Sequence, residues 1–285
     1  MKIIAVIPAR YSSTRLAGKV LLKDTGKFLI QHTYEQASKA KLPDRVIIAA
    51  DDEKIVAATK SFGAECILTS VNHQSGTDRI AEVVQKIADS GQRTADSKNL
   101  NAPHSTLYAD DIIVNVQGDE PEIDPANIDK VAKLLVDNPD YPMATLVAPF
   151  EKAEDVKNPN IVKVILADSV QRTADNKNLN ALRSTLNANL AIYFSRSPIP
   201  YDRQSGGIGD VSLYLRHIGI YAYRRDFLLK ITTLPQSPLE KTEKLEQLRA
   251  IENGYGILVG KIGHTCDGID TPEQYAEFVK RYKNR

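Results

Sequence analysis

Short apolar runs alternate along the chain with stretches in which apolar residues recur at helical spacing. Residues 3–7, 46–50 and 112–116 read as strands, and 29–39 and 52–62 read as helices between them. This alternation predicts an α/β fold with a mainly parallel central sheet and helices on both faces. At 76–87, Ile80, Val83, Val84 and Ile87 follow an i, i+3, i+4, i+7 stripe, with Thr77 as the predicted N-cap. The later part carries strands at 144–148, 162–166, 190–194, 218–223 and 256–259. Ser237-Pro238-Leu239-Glu240 is a capping box with proline at the first helical position; Leu245, Leu248 and Ile251 keep the spacing and Gly254 ends it, so one long helix is predicted. Thr271-Pro272-Glu273-Gln274 repeats the device before the last helix. No linker-like stretch interrupts the series, which predicts a single domain over residues 1–285.

One feature does not belong to this rhythm. Residues 88–107 and 167–186 are two copies of one polar peptide, identical at sixteen of twenty positions. Nothing around them repeats, so they are not a solenoid. The first follows a helical stripe, and the second separates two strands that would otherwise nearly form a hairpin. Chain is added cheaply at such places, because loop-closure entropy grows slowly with length. They are expected to be tolerated insertions in a catalytic portion of 245 residues.

Charge then narrows the partners. Lys plus Arg total 37 and Asp plus Glu 36, a net +1, which provides no general field for a nucleic-acid backbone or an anionic membrane. No apolar run nears the roughly 18 residues of a membrane span, and the run at 3–7 is cut by Pro8 and Arg10. A cytoplasmic protein is expected. Cys66 and Cys266 have no zinc-type spacing and read as reduced thiols.

Candidate chemistry gathers behind the first and the 112–116 strands. Residues 8–19 place Arg10, Arg15 and Lys19 among small and hydroxyl-bearing residues after a strand, a composition suited to polyphosphate oxygens. It is not a P-loop, since Ser13 stands where the first glycine should be and Val20 where Ser or Thr should be, nor is it a GxGxxG turn. Gln117-Gly118-Asp119-Glu120 puts carboxylates at another strand's carboxyl end, and Asp270 precedes the capped last helix. A carboxylate beside a triphosphate loop suits magnesium.

Eight ordered segments carry a resemblance: IPARYSSTRLAGK, HQSGTDR, VNVQGDEP, NPNIVKV, YFSRSPIPYDR, RHIGIYAYR, SPLEKTEKLEQLR and GIDTPEQ. Together they resemble the 3-deoxy-manno-octulosonate (Kdo) cytidylyltransferase family over the whole chain except the two repeats. The resemblance implies a Rossmann-like nucleotidyltransferase fold, a homodimer, Mg2+ as cofactor, and coupling of CTP to Kdo for lipopolysaccharide biosynthesis. It implies a triphosphate loop with Ala9, Arg10, Arg15 and Lys19; cytidine-side positions at Ser75, Gly76 and Gln117; metal ligands Asp119 and Asp270; and sugar-site positions Arg196, His217, Tyr221, Glu246 and Gln247. A cation for the sugar's carboxylate and hydrogen-bonding groups for its hydroxyls are what an acidic polyol demands.

Three family prolines are absent, their places taken by Ala17, Val20 and Phe28, which predicts a softer phosphate loop and weaker CTP binding. Two other readings stand beside the first: a cytidylyltransferase for a related acid sugar such as 8-amino-Kdo or a sialic acid, and a catalytically inactive nucleotide-binding protein. The first seven-residue motif, QGDEP and RHIGIYAYR favour Kdo; intact Lys19, Asp119 and Asp270 favour activity.

Overall fold

The computed structural model describes residues 1–12, 16, 18–96, 107–167, 189–263 and 268–284. Arg15, Ala17, Cys266 and most of both repeat copies, 97–106 and 168–186, lie outside the described residues. The chain forms two compact units. Of the four boundaries, three fall inside one helix, at a strand's end and within a second helix, where no linker composition marks them in the sequence; the fourth, 265/266, lies outside the described residues.

The first unit comprises Met1–Asp129, Arg224–Thr232 and Cys266–Arg285. It contains β1 (Ile3–Ala9), α1 (Leu29–Ala37), β2 (Arg45–Ala50), α2 (Glu53–Ser61), β3 (Glu65–Leu68), α3 (Gly76–Asp96) and β4 (Ile112–Asn115). The strands pair in the order β3-β2-β1-β4, every ladder parallel. Ile4, Ala5, Val6 and Ile7 of β1 are essentially inaccessible, as expected of a parallel strand with neighbours on both sides. Parallel pairing sets the carboxyl ends of β1 and β4 side by side, so the loops leaving them start at one sheet edge.

The N-cap of α3 is Ser75, not the predicted Thr77. The Asp78 N–H donates to Ser75 Oγ at 3.1 Å and the Ser75 N–H donates to Asp78 Oδ2 at 3.2 Å, a reciprocal box. The helix runs to Asp96, so the first nine residues of the first repeat copy are helical. Beyond β4 come α4 (Pro125–Asp137), which passes from this unit to the next, α6 (Arg225–Thr233), and the last helix α9 (Pro272–Lys283), started by the predicted Thr271/Gln274 box. The α9 residues Tyr275 and Phe278 pack with Leu29 and Ile269.

The second unit, Lys130–Tyr223 and Thr233–Thr265, holds β5 (Met143–Pro149), α5 (Ala153–Lys157), β6 (Lys163–Ala167), β7 (Asn189–Ser195), β8 (Leu215–Arg224) and β9 (Ile257–Lys261). Here the expected parallel arrangement gives way to a mixed sheet. Only β5 and β9 are parallel, while β5·β8, β6·β7, β7·β9 and β6·β8 are antiparallel. Because β6 also pairs with β8, the five strands close on themselves.

The single long helix predicted from Ser237 is two short ones, α7 (Pro238–Glu243) and α8 (Gln247–Glu252). Lys244 stands between them at φ 55°, the left-handed region that non-glycine residues rarely adopt. The capping box is present as expected.

Candidate active site

At the carboxyl edge of the first sheet, Gly18 in the left-handed region (φ 59°) turns the chain into a short 3₁₀ segment, Lys19–Leu21, anchored by buried Val20. The turn aims Lys19 back at two carboxylates. Its Nζ donates to Asp119 Oδ2 at 2.7 Å and to Asp270 Oδ1 at 3.0 Å. Asp119 follows β4, and Asp270 precedes α9; the Ile269 N–H donates to the Asp119 carbonyl at 2.8 Å, fastening one segment to the other. Burial opposes charge on Lys19, but Asp119 and Asp270 outweigh it and hold the ammonium above the ordinary lysine value. Three predicted site residues from distant parts of the sequence thus converge on one point.

Gly118 explains how the Asp119 loop comes so close. A Cβ there would meet the Pro8 carbonyl oxygen at 2.6 Å and the Ile30 side chain at 3.2 Å, and the Thr33 hydroxyl donates to the Gly118 carbonyl at 3.2 Å. Gly118→Ala is therefore expected to push the Asp119 loop off β1, destabilising the protein by about 1–3 kcal/mol and lowering turnover together; urea melts and initial rates check it.

The start of the predicted phosphate loop is tied to the end of β2. The Tyr11 N–H donates to Asp51 Oδ1 at 2.8 Å, and Asp51 Oδ2 pairs with Arg79 at 3.3 Å. Arg79 is fully buried; it also donates to Thr69 Oγ1 at 2.6 Å and to the Ser70 carbonyl at 3.2 Å, leaving its Nε as a buried donor without a partner among the described residues. Burial pulls the guanidinium down, Asp51 pulls it up, and neighbouring Arg10 lowers it again. Asp51 and Arg79 were not singled out in the sequence, although Arg79 closes the HQSGTDR segment. Of the predicted nucleotide residues, Ala9 is the buried end of β1 and Arg10 the next position; Ser75 caps α3, and a Cβ on Gly76 would press on Pro8 at 3.3 Å. Gln117 opens the loop that carries Gly118 and Asp119. At Phe28, one of the lost-proline positions, φ is −63°, and the ring instead packs with Phe62 and under Lys23.

The predicted sugar residues all lie in the second unit. The Arg196 guanidinium is spread over three backbone carbonyls: Glu243 at 2.6 Å, Pro159 at 2.9 Å and Lys244 at 3.2 Å. The break after α7 frees two of these, the carbonyls of Glu243 and Lys244. The Glu243 carboxylate accepts from the Arg196 N–H at 2.9 Å and from Ser195 Oγ at 2.8 Å, while buried Lys163 donates to the carbonyls of Asn158, Ile161 and Arg196. Lys163 and Glu243, unremarked in the sequence, are thus the frame around Arg196.

On β8, the His217 ring lies 5.2 Å from the Tyr221 ring, which stacks on Tyr223 at 5.9 Å. Burial pushes the Tyr221 phenol well above the usual tyrosine range, with Tyr223 and Glu246 adding to the shift, so Glu246 lies within electrostatic reach of it. Gln247 is buried, and its Nε2 has no hydrogen-bond partner among the described residues. A buried amide donor left open costs free energy unless a ligand or water meets it.

Burial lowers the His217 pKa to about 3, against an ordinary 6.5. A histidine held neutral in this way contributes stability that is fully present above pH 6.5 and is lost as pH falls from there toward 3. The wild type should therefore lose stability between pH 7.5 and 5 more steeply than His217→Gln, as measured by urea midpoints at the two pH values.

Among the described residues no helix is long and apolar enough to cross a membrane. A parallel sheet with a lysine and two carboxylates at its carboxyl edge is an arrangement that suits nucleotidyl transfer, and residues 4–261 match the family described as Cytidylyltransferase. The chain is a cytidylyltransferase. It belongs to the 3-deoxy-manno-octulosonate cytidylyltransferase family: the protein of that name from Solibacter usitatus is 43% identical over 99% of this chain and 95% of its own. Its counterpart from Rhodopirellula baltica is 42% identical over the full length of both. The solved structure of CMP:2-keto-3-deoxy-manno-octonic acid synthetase complexed with CTP superposes with a TM-score of 0.79 at 37% identity, covering 100% of this chain and 99% of that one. A 4-diphosphocytidyl-2C-methyl-D-erythritol synthase from Anaerococcus prevotii shares the fold at 11% identity and TM-score 0.57.

Proposed function

We propose that this chain transfers a cytidylyl group from CTP to 3-deoxy-D-manno-octulosonate, releasing pyrophosphate and supplying CMP-Kdo for lipopolysaccharide biosynthesis. The convergence of Lys19 with Asp119 and Asp270 carries the reading. The oxygen of the sugar's anomeric hydroxyl attacks the α-phosphorus and its proton passes to solvent water; the bond from that phosphorus to the pyrophosphate oxygen breaks and pyrophosphate leaves. Lys19, with Arg10 and Arg15 nearby in sequence, neutralises charge on the α-phosphate and departing pyrophosphate. Asp119 and Asp270, two carboxylates brought to one point, fit Mg2+, which binds through one or two carboxylates plus substrate phosphates. When bound, the ion supplies charge neutralisation and acidifies an oxygen ligand. Arg196, His217, Tyr221, Glu246 and Gln247 are assigned to the sugar; the open Gln247 donor and the half-buried aromatic pair are groups an acidic polyol can satisfy.

The reading extends to a cytoplasmic homodimer, supported by the family resemblance and by exposed Ile192, Tyr201 and Leu213. Pyrophosphate release with CTP and Kdo, 8-amino-Kdo or a sialic acid tests it. Turnover with Kdo at the highest kcat/KM is expected; tight CTP binding without turnover on any sugar would sink it. The parts of the two repeat copies outside α3 and β6, 97–106 and 168–186, are read as passengers, and a chain lacking them should release pyrophosphate at the same rate.

A further inference from the structure

The ladder between β5 and β8 slips between Thr145 and Leu146: Thr145 faces Tyr221, whereas Leu146 faces Ile218. Gly219 and Ile220 therefore bulge out of register, and a bulge leaves carbonyls that the ladder does not satisfy. The Thr145 side chain fills that place. Its Oγ1 lies 2.8 Å from the Ile220 carbonyl, 3.2 Å from the Ile218 carbonyl and 2.9 Å from His217 Nε2. Thr145 is fully buried.

A hydroxyl has one proton and two lone pairs. Two of the three neighbours of Thr145 are carbonyls, which can only accept, so its proton goes to them. The ring nitrogen must then donate. Were Nε2 unprotonated, three acceptors would compete for one proton, and the hydroxyl's own lone pairs would be left open in a buried site. Nδ1 of the neutral ring is then the lone-pair nitrogen, and it has no hydrogen-bond partner among the described residues.

We propose that Thr145 is a positioning residue: it holds His217 as the Nε2–H tautomer, so that Nδ1 is presented as an acceptor for a hydroxyl of the polyhydroxy-acid substrate. The sugar part of this rests on the function proposed above; the tautomer part does not. The bulge, the threonine and the histidine act as one unit, in which an irregular ladder sets the hydrogen-bonding sense of a ring.

Two measurements on the full chain test it. Two-bond proton–nitrogen NMR of labelled histidine, with the His217 signals assigned by their loss in His217→Gln, reads the tautomer. The Nε2–H form is expected in the wild type and in Thr145→Ser, and a shift toward Nδ1–H or a mixture in Thr145→Val. Kinetics should show the KM for Kdo raised about tenfold in Thr145→Val, equivalent to one hydrogen bond of about 1.4 kcal/mol. The KM for CTP should stay unchanged, and Thr145→Ser should return the Kdo value to within about twofold of wild type. An Nδ1–H ring in the wild type overturns the proposal even if Thr145→Val does not fold. So does a changed tautomer with an unchanged KM for Kdo, or equal damage from serine and valine. A wild type that shows the Nε2–H ring but does not turn over Kdo condemns the substrate assignment and leaves the tautomer assignment standing.

Discussion

Lys19→Met should lower kcat by about 10³-fold, the scale on which loss of one preorganised charge-stabilising donor acts. The same variant should gain affinity for a divalent cation when no nucleotide is present. In the free protein the ammonium sits on Asp119 and Asp270 at 2.7 and 3.0 Å, where it competes with any cation those carboxylates attract. Replacing it by an apolar side chain of similar length leaves two like charges facing each other without a counter-charge. Mn2+ titration followed by calorimetry should show tighter binding than in the wild type, while pyrophosphate release collapses. Loss of activity with unchanged Mn2+ affinity would mean that the carboxylate pair does not take up the cation. Asp119→Asn provides the complement, losing both Mn2+ affinity and turnover.

Arg79→Met should produce the largest loss of stability, about 3–5 kcal/mol, because it strips the counter-ion from a carboxylate that stays mostly buried. Asp51 has 11% of its side chain exposed and the Arg79 side chain none. Removing one partner leaves the other charged in a poor environment, whereas removing both is far milder. The double variant Arg79→Met/Asp51→Asn should therefore recover much of the lost urea midpoint. A single variant within 1 kcal/mol of wild type would show that the pair is not load-sharing with Thr69 and Ser70, and that the loop starting at Tyr11 is held by other means.

The contrast between these two sites shows what the sequence discloses. Lys19, Asp119 and Asp270 could be picked out because each lies in a segment that leaves a strand or enters a capped helix, and chemistry gathers beyond the carboxyl ends of strands in open α/β sheets. The alternation of apolar runs also predicted the parallel half, since strands buried on both faces read as continuous apolar runs. Periodicity carries no information about strand direction: the near-hairpin of β6 and β7 was legible from their adjacency, but the antiparallel ladders of β8 with β5 and β6 and of β7 with β9 were out of its reach. Asp51 was hidden as the first of three acids, Asp51-Asp52-Glu53, at the start of a helix where acids are ordinary. Lys163 and Glu243 lie within NPNIVKV and SPLEKTEKLEQLR, but their part in framing Arg196 gave no signal, because a buried lysine satisfied by three carbonyls is a product of tertiary placement. The 237–254 segment misled most directly: Leu245, Leu248 and Ile251 keep helical spacing straight through the break at Lys244.

That break sets local preference against tertiary need. Lysine is a good helix former, and an uninterrupted helix would gain hydrogen bonds for the carbonyls of Glu243 and Lys244. Those carbonyls instead receive Arg196. The segment is locally frustrated, and the frustration is resolved in favour of a cation that the neighbouring strand delivers. An engineer who raised the helix propensity of residues 240–248 to stabilise the protein would be strengthening the competitor: each increment would favour a continuous helix that leaves the Arg196 guanidinium the Pro159 carbonyl alone of its three.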